Sequence, residues 1–189
     1  MATVQLARAT LDDLYKEKGK AELIGGRIVR FMAHGRNPSK VSFRIAQSLD
    51  AHAIQTRRGE AHPDGLGYAV PELASGRESF ETDASYYDGP LPVNAMRFIE
   101  GPPNFAAEVR SENDYSPVAE VEMADKRVDY FAAGTLVVWD VDPQARTVAV
   151  YRKGDALQPA TVFGPGDVAD AEPAVPGWRL GVDALFAGL

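Results

Sequence analysis

Cysteine is absent from this 189-residue chain, which excludes both a disulfide framework and a thiolate-bound metal. Histidine is scarce, and His34, His52 and His62 show no ligand-like spacing, so the sequence assigns them no primary role. No apolar run approaches the ~20 residues of a membrane span. The segment MATVQLARATLDDLYKEK carries acidic residues where a secretory signal needs an apolar stretch. A soluble, cytoplasmic protein with no membrane partner is therefore expected. Positive charge is also short, since 20 Lys+Arg against 27 Asp+Glu leave a net charge of -7, a poor balance for meeting phosphates. Its distribution weakens that objection: residues 1–60 hold 11 Lys+Arg against 6 Asp+Glu, and residues 61–189 hold 9 against 21. A basic first third beside an acidic remainder suits contact with phosphates through one part and with a divalent cation through another, although a plain solvated surface gives the same pattern. No GxxxxGKS/T loop, GxGxxG turn, HExxH or GxSxG is present, so nucleotide-loop, zinc-protease and hydrolase-elbow chemistries drop out.

What is present is ordinary for a globular chain, with 45% hydrophobic and 25% charged residues, and residues 1–189 read as one domain. Thr10 before Leu11, Asp12 and Asp13 reads as the N-cap of a short helix ending near Gly19. In AELIGGRIVRFMA the Gly25-Gly26 pair between apolar runs marks a hairpin. From Pro38 and Ser39, the spacing of Val41, Ile45, Leu49 and Ile54 predicts a long amphipathic helix. Strands are expected around 67–72, 80–87 and 104–109. Ser116 with Pro117 starts a second long helix that Gly134 ends. TLVVWDVD and RTVAVYR form a hairpin about Pro143 and Gln144, with one more strand pair near 159–163 and a short helix over 182–186.

Two carboxylates stand in odd places. Asp83 falls inside the strand-like SFETDASYY and Glu108 inside NFAAEVRS, where an ionised group costs several kcal/mol unless it is paired or bound to a cation. A divalent metal such as Mg2+, which prefers hard oxygen ligands, is one candidate partner, and an exposed strand face is the plainer one. Lys126 shares a helix face with Glu122 and Tyr130, a spacing that also fits a surface Glu122–Lys126 ion pair.

The ordered blocks AELIGGRIV, ETDASYY, AAEVRS, DKRVDYFAAG, VVWDVDPQARTVAVYR and VPGWRLGVDALF resemble the Uma-two family of candidate restriction endonucleases from about Thr10 to the C-terminus. The resemblance implies an α/β fold with a PD-(D/E)XK core, a restriction-endonuclease-like mixed sheet flanked by helices, here with additional C-terminal β-hairpins. It also implies Mg2+- or Mn2+-dependent hydrolysis of DNA. By position, Asp83 and Glu108 would be the paired acids, holding metal together with the Val109 carbonyl. Glu22 would be the acid of the first strand. Lys126 would orient or deprotonate the attacking water, with Tyr130 one turn on. Arg110, at the place of the usual strand lysine, could hold a phosphate, as could Arg44 or Lys40. Thr82 replaces the proline usual before the aspartate, and the histidine usual at the start of the long helix has no counterpart near Lys40 and Val41. A homodimer is a further expectation. The alternatives are an inactive nuclease-fold module for nucleic-acid binding or assembly, and a hydrolase directed at RNA or nucleotides.

Overall fold

The computed structural model describes residues 8–189. Thr10 caps α1 (Leu11–Leu14) through a reciprocal capping box with Asp13, and the helix stops well before Gly19. The strands β1 (Ala21–Ile24) and β2 (Arg27–Arg30) form the expected hairpin, and Gly25 and Gly26 both have positive φ, as a tight turn between such strands demands. Helix α2 (Arg36–Thr56) begins ahead of Pro38, which its first turn tolerates because the N–H there has no intrahelical acceptor. It buries Val41, Ile45, Leu49 and Ala53, whereas Ile54 points outward at 69% exposure, contrary to the periodicity reading.

Three short strands follow α2: β3 (Glu60–Pro63), β4 (Gly67–Ala69) and β5 (Ser79–Glu81). The stretch read as one strand through SFETDASYY is broken, because β5 ends at Glu81 and β6 (Ala84–Tyr87) begins after Asp83. These two strands belong to different sheets. The short β7 (Ile99–Glu100) and then β8 (Phe105–Val109) follow. Helix α3 (Pro117–Ala133) runs from the Ser116 N-cap to Gly134, as expected. The hairpin of β9 (Val137–Asp142) and β10 (Thr147–Arg152) comes next. It is followed by β11 (Thr161–Phe163), β12 (Val168–Asp170), β13 (Arg179–Gly181) and α4 (Val182–Phe186).

The main sheet has the order β11-β10-β9-β8-β6-β3, mixed because β8 and β9 run parallel while the other pairs are antiparallel. One face packs Phe105, Ala107, Val109 and Trp139 against Val41, Ile45 and Leu49 of α2 and against Trp178 and Leu185 near the C-terminus. The other face packs Ala106 and Val138 against Tyr130 and Phe131 of α3 and against Tyr68 and Phe80 of the β5-β4-β7 sheet. The β12-β13 hairpin supplies the additional C-terminal strands. Among the described residues, no helix is long and apolar enough to cross a membrane.

Candidate active site

Strand register draws four carboxylates into a row across the main sheet. Ala84 of β6 is opposite Ala107 of β8 on one side and Pro63 of β3 on the other. Asp83, one residue before β6, therefore falls between Asp64, one residue after β3, and Glu108. Glu108 is in turn opposite Asp140 of β9. Ala84 and Ala107 both face the α2 side, and side chains alternate along strands, so Asp83 and Glu108 share the α3 side. Like charges on neighbouring strands repel, and the row is tolerated because cations are threaded through it.

Lys126 of α3 is the central cation. Its Nζ donates to Glu108 Oε2 at 3.0 Å and to the Glu81 carbonyl at 3.0 Å, and lies 3.1 Å from Glu22 Oε1. Glu122 is exposed and forms no ion pair with it, so the helix-surface reading of Lys126 fails. Burial alone would lower the Lys126 ammonium, but Glu108 and Glu22 outweigh it and hold the pKa above its ordinary value. In this state Lys126 is a proton donor to its surroundings and not a base.

Glu22 of β1 is fully buried, accepts from the Glu81 N–H at 3.0 Å, and is paired with Arg77 as well as with Lys126. Burial would raise its carboxyl, yet Lys126 and Arg77 more than compensate and keep it below its ordinary value. Arg77 also donates to Asp129 of α3 at 2.8 Å, so it ties the hairpin to the helix. Its approach depends on Gly76, where a Cβ would meet the Gly25 backbone at 2.9 Å and φ is +85°. Tyr130, stacked on Phe80 with ring centroids 4.2 Å apart, donates its hydroxyl to Glu108 Oε1 at 2.6 Å. Glu108 is thus held at both oxygens.

Asp83 is held differently. The Val109 N–H donates to its Oδ2 at 2.7 Å, while among the described residues no hydrogen bond reaches Oδ1. Burial pushes the Asp83 carboxyl up to about 6 despite the Val109 N–H and the lysines, and burial pushes Glu108 up to about 7 against the pull of Lys126. Both folded-state values lie above the unfolded ones. The stability they contribute is therefore complete below about pH 4 and is lost as pH rises through 6–7. The metal-free protein is expected to lose roughly 2–4 kcal/mol between pH 5 and 8, a fall of roughly 5–10 °C in melting temperature. A melting series in chelator checks this, and a flat profile would show that the two acids are not under strain.

Several residues named from sequence lie outside this cluster. Arg110 is clamped by Asp140 at 2.7 and 2.8 Å and by Glu120, so its guanidinium is committed to two carboxylates and is not free to hold a phosphate. Arg44 donates to the Leu185 carbonyl at 2.8 Å, which anchors α4 to α2. Lys40 lies half-buried in the first turns of α2. Conversely, His34, given no role from sequence, stands just before α2 with Nε2 3.4 Å from Asp83 Oδ1. The helix begins earlier than its apolar spacing suggested, so an imidazole does stand at its start. Burial, and then the neighbouring Lys20 ammonium, hold this imidazole below its ordinary pKa. Asp64 was equally hidden, because Asp64-Gly65 reads only as a turn.

The family model Uma2, described as "Putative restriction endonuclease", matches residues 8–183. The chain belongs to the Uma2 family. A solved structure described as a putative nuclease of DUF820, from Anabaena variabilis ATCC 29413, is 22% identical, covers 94% of this chain and 97% of its own, and superposes with a TM-score of 0.72. That likeness shows the fold. No curated protein matches. Membership in Uma2 makes the chain nuclease-like, and its own residues suit a hard divalent cation: buried Asp83 and half-buried Glu108 both have raised pKa values, and Asp83 keeps an oxygen clear of hydrogen bonds among the described residues.

Proposed function

We propose that this Uma2 protein is an endonuclease that hydrolyses DNA phosphodiester bonds with Mg2+ or Mn2+ as cofactor. The observation that carries the reading is the convergence of Lys126, Glu108 and Glu22, from a helix and two separate sheets, beside the buried Asp83. Asp83, Glu108 and the Val109 carbonyl are the groups that would hold the cation. A cation there would polarise the phosphate and lower the pKa of a bound water. Lys126, kept protonated between two carboxylates, orients the attacking water by hydrogen bonding. Tyr130 fixes the rotamer of Glu108, and Glu22 is a positioning residue that holds the ammonium in place, itself braced by Arg77.

One observation favours the alternative of an inactive binding or assembly module. Arg110 and Arg44 are both engaged within the protein, which leaves few cations near the site for a phosphate backbone. End-labelled duplex DNA, single-stranded DNA and RNA, each offered with Mg2+, separate these readings. Lys126→Met is expected to slow DNA cleavage by about 10^2–10^4-fold. Binding without cleavage by the parent would establish the module, and a preference for RNA would reassign the substrate. If Lys40 meets phosphate, Lys40→Glu should flatten the salt dependence of DNA binding by about one unit of slope or more. An unchanged slope would remove Lys40 from the interface.

A further inference from the structure

We propose that His34, Asp64 and Asp83 form a second divalent-cation site, selective for a transition ion such as Mn2+, Co2+ or Zn2+. It rests on the reading above only through Asp83, which the two sites would share. One ligand atom from each of these residues lies within 4.8 Å of the others, and among the described residues this is the one His/Asp/Glu group of three so arranged. The residues come from three places: the segment between β2 and α2, the end of β3, and the crossing from β5 to β6. Their meeting is a product of the β3–β6 register, which sets Pro63 opposite Ala84 and so brings Asp64 beside Asp83.

Three independent features point to a cation here. First, a positive charge is already drawn to the spot: Lys20 Nζ is paired with Asp64 Oδ1 and lies 3.7 Å from Asp83 Oδ1. Second, donor capacity is left unmet in a buried place. The Asp83 side chain is 9% exposed, and among the described residues no hydrogen bond reaches its Oδ1. Third, the 3.4 Å between His34 Nε2 and Asp83 Oδ1 suits a shared ion, because two ligands each about 2.1 Å from one metal sit roughly 3.0–3.4 Å apart.

The imidazole sets the preference. Mg2+ takes oxygen ligands and dehydrates reluctantly, whereas Mn2+, Co2+ and Zn2+ accept a mixed nitrogen and oxygen set. Glu108, Lys126 and Tyr130 are engaged with one another on the far side of Asp83, so Asp83 Oδ1 serves the His34 side without disturbing them. Lys20 competes for the same oxygens and must swing away when the ion enters.

Calorimetric titration of the full chain with MnCl2, alone and in excess MgCl2, tests the proposal on the parent, His34→Gln, Asp64→Asn, Lys20→Met and Glu108→Gln. Asp64 is exposed, so its variant keeps the test open should His34→Gln fail to fold. The parent is expected to bind two Mn2+, one displaced by Mg2+ and one resistant. His34→Gln and Asp64→Asn lose the resistant one. Lys20→Met tightens it by about tenfold or more, since a competing charge is removed. Unaltered Mn2+ stoichiometry and affinity in both His34→Gln and Asp64→Asn would overturn the site. A parent that binds one Mn2+, lost in His34→Gln, would keep this site and count against the catalytic one. A single ion lost only in Glu108→Gln would do the reverse.

Discussion

Asp83→Asn is expected to melt higher than the parent in the absence of metal, by roughly 3–6 °C at pH 8, while losing the melting shift that Mn2+ or Mg2+ gives the parent. Asparagine keeps an oxygen for the Val109 N–H but removes a charge that burial disfavours. The lost attraction to Lys20 and Lys126 subtracts from the gain, which leaves about 1–2 kcal/mol. The advantage should shrink as pH falls through 6 and vanish below about pH 4, where the aspartate is protonated in both the folded and the unfolded chain, and this makes pH an internal control. A structural aspartate would behave in the opposite way. A destabilised variant that still responds to Mn2+ would remove Asp83 from the metal site.

Arg77→Met should be the most damaging single change. Arg77, Glu22 and Asp129 are all buried, and among the described residues Arg77 is the hydrogen-bond partner of the Asp129 carboxylate. Removing it strands one buried charge and weakens the compensation of another, at a cost of about 3–5 kcal/mol. That corresponds to a fall in melting temperature of roughly 10 °C or more. Adding Asp129→Asn to the same chain should recover part of the loss, because the stranded charge goes with it. Denaturant titration of the three proteins measures both effects, and an Arg77→Met variant within about 0.5 kcal/mol of the parent, the ordinary range for a surface substitution, would show that the pairing contributes little.

Where the physics is local, the chain carries its structure in short signals. The Gly25-Gly26 turn, the Ser116 N-cap with Gly134 at the other end of α3, and the apolar run of β9 each depend on a few neighbouring residues. The resemblance pointed to Asp83, Glu108 and Lys126, which register and helix packing bring to one face of the sheet. Partnerships across distance were not legible. β3 is short and ends in Pro63, which argues against a strand except at a sheet edge, where it lies. Missing β3 hid Asp64. Apolar alternation through SFETDASYY concealed the break at Thr82 and Asp83, because the chain stays buried as it passes between the two sheets, with residues 82–87 all buried. Arg77 sits in a Gly/Ser-containing loop with no pattern to mark it, and Arg110 gave no hint that Asp140 and Glu120 would claim its guanidinium.

The central claim, cleavage that depends on both a divalent cation and the acid–lysine cluster, is tested most directly on supercoiled plasmid DNA. The parent and Glu108→Gln are incubated with Mg2+, with Mn2+ and with EDTA, and nicked and linear products are counted over time. Nicking by the parent with either metal, none in EDTA, and a loss of at least about 10^2-fold in Glu108→Gln is the expected result. Cleavage that persists in EDTA, or that proceeds in Glu108→Gln at the parent rate, would contradict it.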